Sequence, residues 1–215
     1  MGLLEKIILF AIPVIFAITL HEAAHGYVAK YFGDLTAYAQ GRVSLNPLRH
    51  IDPIGTILVP LIFLLLPGNF LFGWAKPVPV NFNALRDPRK DMLWVAAAGP
   101  GANLLMVIVW ALVLKFSSVD GEQGALHVMA LAGIMINLVL MFLNLLPILP
   151  LDGGRVASSL LPESVAQSYA KSEPYGIVIV ILLLVTGILG RILTPLIESS
   201  LGILLKLFSI TTGLS

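Results

Sequence analysis

The 215-residue chain contains no cysteine. That excludes disulfides and thiolate metal ligands, so any transition metal must be held by histidines and carboxylates. Charge is scarce too: 12% of the residues are Asp, Glu, Lys or Arg, where soluble domains carry about 25%. With 58% hydrophobic residues and a mean hydropathy of +0.95, the apolar surface exceeds what a core of this size can hide. The composition therefore reads as an all-α polytopic membrane protein in contact with the lipid bilayer. The net charge is only +1 and no basic run is present, which argues against a nucleic-acid partner. No internal repeat or low-complexity linker divides the chain, so residues 1–215 read as a single membrane-embedded domain. The first apolar stretch lacks a basic n-region and a small-x-small cleavage site, and is read as retained rather than as a signal peptide.

A span needs about 20 apolar residues. Leu4–Tyr31, Met92–Lys115 and His127–Leu149 are long enough, and Tyr175–Gly190 begins a fourth span. Arg191 and Pro195 interrupt the chain beyond it, leaving residues 192–214 as either a further span or a surface helix. Arg191 itself reads as a snorkelling or paired structural charge. Residues 54–67 are apolar but short for a crossing, which suggests a re-entrant half-helix. The whole then has about four to six transmembrane helices with a short re-entrant β-loop or half-helix. The candidate β element is Gly73–Phe82, where β-branched residues alternate with Pro77 and Pro79; an ordinary Pro-rich loop is the equal alternative. Prolines confine a strand to an edge. The side shared by Pro77 and Pro79 has lost its N–H donors, while Lys76, Val78 and Val80 keep theirs on the other.

Within the first span, Ile7–Leu20 holds no charged residue, and then comes His21-Glu22-Ala23-Ala24-His25. Ionisable groups at membrane depth are costly and mark function. Residues i and i+4 share one helix face, so both imidazoles can reach one ion. This is the H-E-x-x-H order of zinc metalloproteases. A catalytic zinc takes three protein ligands and keeps a position for water, whose pKa it lowers. Glu22 is placed to take that water's proton and pass it to a leaving amine. His50, Asp52, His127 and Asp152 are candidates for the third ligand. Asp152 is favoured: Pro147, Pro150, Gly153 and Gly154 should unwind the chain there, and broken helices at membrane depth line cavities or are buried in protein.

Three segments together resemble the site-2 protease class of intramembrane zinc metalloproteases (peptidase family M50). They are His21–His25, Gly99-Pro100-Gly101-Ala102-Asn103, and Asn144 through Gly154. The loop Lys76–Phe82 is similar to the family's re-entrant β-loop. The resemblance implies one zinc per chain on His21, His25 and Asp152, with Glu22 as general base and Asn144 in a substrate-binding or oxyanion role. Asn103 matches a packing position of the family and joins Lys76, Val78 and Val80 as a candidate substrate contact. No PDZ-like insertion separates the spans, so the chain looks like a minimal form. The implied activity is hydrolysis of peptide bonds in or near transmembrane segments of membrane-protein substrates. The rival readings are a membrane metal transporter and a non-catalytic scaffold using the same metal site.

Topology offers a check on this reading. His21, His25 and Asp152 must meet at one depth, which requires Asp152 to emerge where the first span exits. The sides agree only if 54–67 re-enters rather than crosses. Loops 33–53 and 68–91 then share a face and hold Arg42, Arg49, Lys76, Arg86, Arg89 and Lys90, while 117–126 holds Asp120 and Glu122. The positive-inside rule puts the former at the cytoplasm, with the site near that face of a multi-pass protein of the cell membrane.

Overall fold

A computed structural model describes residues 3–59, 62, 73–117 and 124–210. Eight α-helices are present among them: α1 (Leu3–Tyr31), α2 (Thr36–Ala39), α3 (Pro88–Ser117), α4 (Ala125–Asn144), α5 (Asp152–Leu160), α6 (Glu163–Ala170), α7 (Gly176–Val185) and α8 (Ile188–Leu207). Among the described residues, five segments are long and apolar enough to cross a membrane: Ile8–Tyr31, Pro88–Ser117, Ala125–Asn144, Glu163–Val185 and Ile188–Leu207. The chain is an all-α polytopic membrane protein, as its composition requires.

Helices α1, α3 and α4 pack against one another, α5 lies on α3, and α8 lies on α4 with α7 beside it. Lipid is as apolar as a leucine side chain, so close packing rather than water exclusion holds such helices together. Gly133 of α4 shows how: a Cβ there would lie 2.5 Å from Trp110 Cγ of α3, so only glycine admits the indole. Ala111, Leu114, Ala130, Ile134 and Leu138 continue that seam, and Leu189, Leu193 and Ile197 of α8 close it. A second buried cluster joins Ala29 of α1 to Met92, Val95 and Ala96 of α3 and to Leu85. At the start of α3, Lys90 sits 2.9 Å from Asp87. Its ammonium holds the Asp87 carboxyl below the usual carboxylate range.

The sequence left 192–214 undecided. Ile188–Leu207 is one helix of spanning length, with Pro195 inside it and Arg191 on its exposed side. The unwinding expected after Asn144 is present: α4 ends there, and the chain turns through Leu145–Leu151 before α5 starts at Asp152. Residues 60, 61 and 63–72 lie outside the described residues, and half of the 54–67 re-entry with them. Its beginning is a short π-helical segment, Pro53–Leu58, capped by the Asp52 carboxylate, which accepts from Ile54 N and Gly55 N.

At Gly73–Phe82 the structure decides for the loop over the strand. No strand occurs among the described residues. The segment is extended, but it is fastened by isolated bonds to different partners rather than paired along a neighbouring strand. Trp74 N donates to Gly55 O at 3.0 Å and Lys76 N to His50 O at 2.9 Å. Arg42 Nη2 donates to Lys76 O at 2.8 Å and Pro77 O at 3.3 Å. Beyond them, Asn81 N donates to the buried Asp34 at 2.7 Å.

Candidate metal centre

His21 and His25 project from the second half of α1 towards the first residue of α5. His21 Nε2 lies 3.2 Å from Asp152 Oδ2, His25 Nε2 lies 3.3 Å from Asp152 Oδ1, and the two Nε2 atoms are 3.1 Å apart. An ion with bonds of about 2.0–2.1 Å in tetrahedral geometry would hold its ligand atoms roughly 3.3–3.4 Å apart. The three donors thus outline nearly one face of such a tetrahedron. Both histidines are buried.

The protons support the same reading. His25 Nδ1 donates to Val95 O at 2.7 Å. A carbonyl oxygen only accepts, so Nδ1 carries a proton, and the neutral imidazole then has its lone pair on Nε2, facing Asp152. Asp152 Oδ2 is buried and has no hydrogen-bond partner. With both imidazoles neutral and their Nε2 atoms free, three acceptors gathered this closely away from water repel one another unless a cation lies among them. The residues therefore fit a zinc ion: two neutral imidazoles and a carboxylate, a donor set that zinc takes readily.

The floor of the site is backbone. A Cβ on Gly99 of α3 would lie 2.5 Å from His21 Nε2 and closer still to His25 Nε2. Only a glycine lets α3 pass here without filling the space the ligand nitrogens face. Four residues on, fully buried Asn103 places Oδ1 2.6 Å from His21 Nδ1. Asn103 thus touches a candidate ligand histidine from behind, on the side away from Asp152.

Glu22 is half-buried. Its Oε2 accepts from Val78 N at 2.8 Å. The sequence left Lys76 and Val78 with open donors; in the structure both are engaged within the chain, by His50 O and by Glu22. Val78 is buried, Lys76 is exposed, and Val80 packs against the cluster of Ala29 and Val95. Asn144, the last residue of α4, turns its Nδ2 back to Leu140 O at 3.0 Å. The other third-ligand candidates are placed elsewhere. His50 bonds Ser44 O through Nε2, Asp52 caps a turn, and His127 lies beside Ser117.

Sequence reasoning missed three groups that the structure brings to the site. Val95 O and Val78 N are backbone atoms with no residue signature. Asn137 of α4, fully buried, donates to Gly133 O and accepts from Asn103 Nδ2. A lone amide inside an apolar span was the available signal.

Helices of membrane-crossing length around a two-histidine, one-carboxylate centre define a class: membrane-embedded metalloproteases. Peptidase family M50 matches residues 119–187, a stretch that contains Asn144 and Asp152. YwhC of Bacillus subtilis (strain 168), a zinc metalloprotease by its assigned name, is 39% identical over 204 residues, covering 92% of this chain and 90% of that protein. Rip2 of Mycolicibacterium smegmatis, likewise named as a zinc metalloprotease, is 31% identical over 180 residues, 81% of this chain and 66% of its own. The zinc metalloprotease MJ0392 of Methanocaldococcus jannaschii is 26% identical over 159 residues, 73% of this chain and 34% of its own. No solved structure matches significantly. The chain belongs to peptidase family M50 and is a zinc metalloprotease, an integral membrane protein built on the site-2 protease plan.

Proposed function

We propose that this enzyme hydrolyses peptide bonds in or beside the transmembrane segments of membrane-protein substrates. The observation that carries the proposal is the placement of the site. His21 and His25 lie in one candidate span, and Gly99 and Asn103, which wall and support them, lie in a second. His25 is six residues from the end of α1, roughly 9 Å at about 1.5 Å per residue. The arginines and lysines of the flanking loops favour a cytoplasmic location for that end, in the cell membrane.

His21, His25 and Asp152 would hold the zinc, which when bound acidifies a water and polarises a carbonyl. The chain's own part is proton handling and positioning. Glu22 Oε2 is held by Val78 N–H, which leaves Oε1 to take a proton from the attacking water and deliver it to the departing amine. A helical peptide bond is shielded by its own hydrogen bonds, so a substrate must unwind before it is cut. An unwound strand laid along Lys76–Val80 would exchange its carbonyls for His50 O and Glu22 as partners of those N–H groups. Binding would thereby release the Glu22 carboxylate next to the scissile bond. Asn144 stands at the unwound end of α4, where its amide would steady the substrate backbone.

The test is co-expression with single-span membrane proteins, comparing the native chain with Glu22→Gln. A fragment that requires Glu22 supports the proposal. Zinc flux across the membrane with no cut product would point to a transporter instead.

A further inference from the structure

We infer that Asn137, which touches neither metal nor substrate, is a positioning residue that sets the tautomer of His21. Three hydrogen bonds run from α4 through α3 to α1. Asn137 Nδ2 donates to Gly133 O at 2.8 Å, Asn103 Nδ2 donates to Asn137 Oδ1 at 2.9 Å, and Asn103 Oδ1 lies 2.6 Å from His21 Nδ1. Both asparagines are fully buried.

The direction of this relay is fixed at its far end. An amide's oxygen and nitrogen are alike in shape, and their assignment comes from their partners. Gly133 O is a backbone carbonyl and can only accept, so Asn137 must present Nδ2 to it and Oδ1 to Asn103. Asn103 must then present Nδ2 to Asn137 and Oδ1 to His21. Only a donor satisfies that oxygen, so His21 carries a proton on Nδ1, which in the neutral imidazole leaves the Nε2 lone pair facing the space between Asp152 and His25. Turning Asn103 over would set its oxygen against Asn137 Oδ1 and Ala17 O. Two acceptors facing each other in a dry interior lose the bond and keep the desolvation cost. His25 reaches the same tautomer directly from Val95 O. His21 has no backbone carbonyl at its Nδ1 and depends on the two asparagines.

Without Asn137 the relay has no fixed end. Asn103 Nδ2 would keep only Ala17 O at 3.5 Å, a long bond that constrains little. The turned-over amide becomes accessible, His21 Nδ1 becomes an acceptor, and its proton moves to Nε2, where it blocks the ligand position. Asn137→Asp restores the direction. Buried among apolar groups, that carboxyl stays protonated, gives its O–H to Gly133 O, and accepts from Asn103.

The inference rests on His21 as a zinc ligand and not on what the enzyme cuts. The experiment measures zinc affinity of the full-length protein in detergent by competition with a chelator, together with thermal unfolding and ¹⁵N-histidine spectra. Asn137→Leu should weaken zinc about 10- to 100-fold, the range for partners of ligand histidines, and bring a protonated Nε2 into the spectrum. Asn137→Asp should match the native protein on both counts. If the leucine variant does not fold, Asn137→Ala carries the same expectation. Variants that lose stability but bind zinc as tightly as the native protein would overturn the relay and leave His21 as a ligand. Native protein that binds no zinc would overturn both.

Discussion

The backbone N–H of Val78 donates to the carboxylate of Glu22 at 2.8 Å across 56 positions of sequence. The proposed general base is thus held by a segment anchored to the rest of the chain at Arg42, His50 and Gly55. Loosening that segment should change catalysis without changing the metal. Replacing residues 76–80 by a Gly/Ser stretch should lower cleavage at least about tenfold, less than the roughly 10²–10⁴-fold that a general base contributes outright. Zinc per chain should stay the same, as elemental analysis can verify. Unchanged cleavage would remove the segment from both base positioning and substrate binding.

Arg42 tests the same clamp from the other side. Its guanidinium holds Lys76 O and Pro77 O, and an arginine fork is poorly replaced by other side chains. Arg42→Ala should reduce the turnover rate severalfold and leave zinc affinity alone. The measurement is initial rate against substrate concentration. An effect on zinc alone would contradict the role given to Arg42.

Gly99 makes the opposite prediction. A methyl group there reaches into the space faced by both Nε2 atoms. Gly99→Ala should therefore weaken zinc binding more than about 100-fold, beyond the range for outer partners. Gly101, whose Cβ would meet nothing within 4 Å, serves as the control: Gly101→Ala should bind zinc normally. Equal zinc affinity in the two variants would show that α3 does not wall the site.

Metal removal should register in stability. A ligand that binds only the folded state raises the unfolding temperature by mass action, and here it also separates acceptors that otherwise face one another. Chelation should lower the Tm and added zinc should restore it. In Asp152→Ala, which lacks one corner of the triangle, that zinc-dependent shift should shrink or vanish. A full shift in the variant would place the metal elsewhere.

Much of this arrangement was legible in the residues themselves. Run length found the spans, because a bilayer fixes how long an apolar helix must be. The spacing of His21 and His25 set their common face, and the prolines and glycines around Asp152 marked where α4 had to end. The hidden part was carried by backbone. Val95 O, Val78 N and Gly133 O have no letter in a sequence, and their roles emerge only from how α1, α3 and α4 cross. Pattern could not decide Gly73–Phe82 because alternation describes an extended chain, whereas a strand needs a partner, and this segment spreads its bonds over Gly55, His50, Glu22 and Arg42. It was inconclusive at Arg191 and Pro195, where the helix continues past both.

The most direct measurement takes purified enzyme and a single-span substrate in the same liposomes, maps the cut bond by mass spectrometry, and counts zinc per chain. The account predicts a cut in or beside the substrate's span by the native protein, none by Glu22→Gln, and one zinc per chain in both. A cut confined to a distant soluble segment, or cleavage that persists without Glu22, would contradict it.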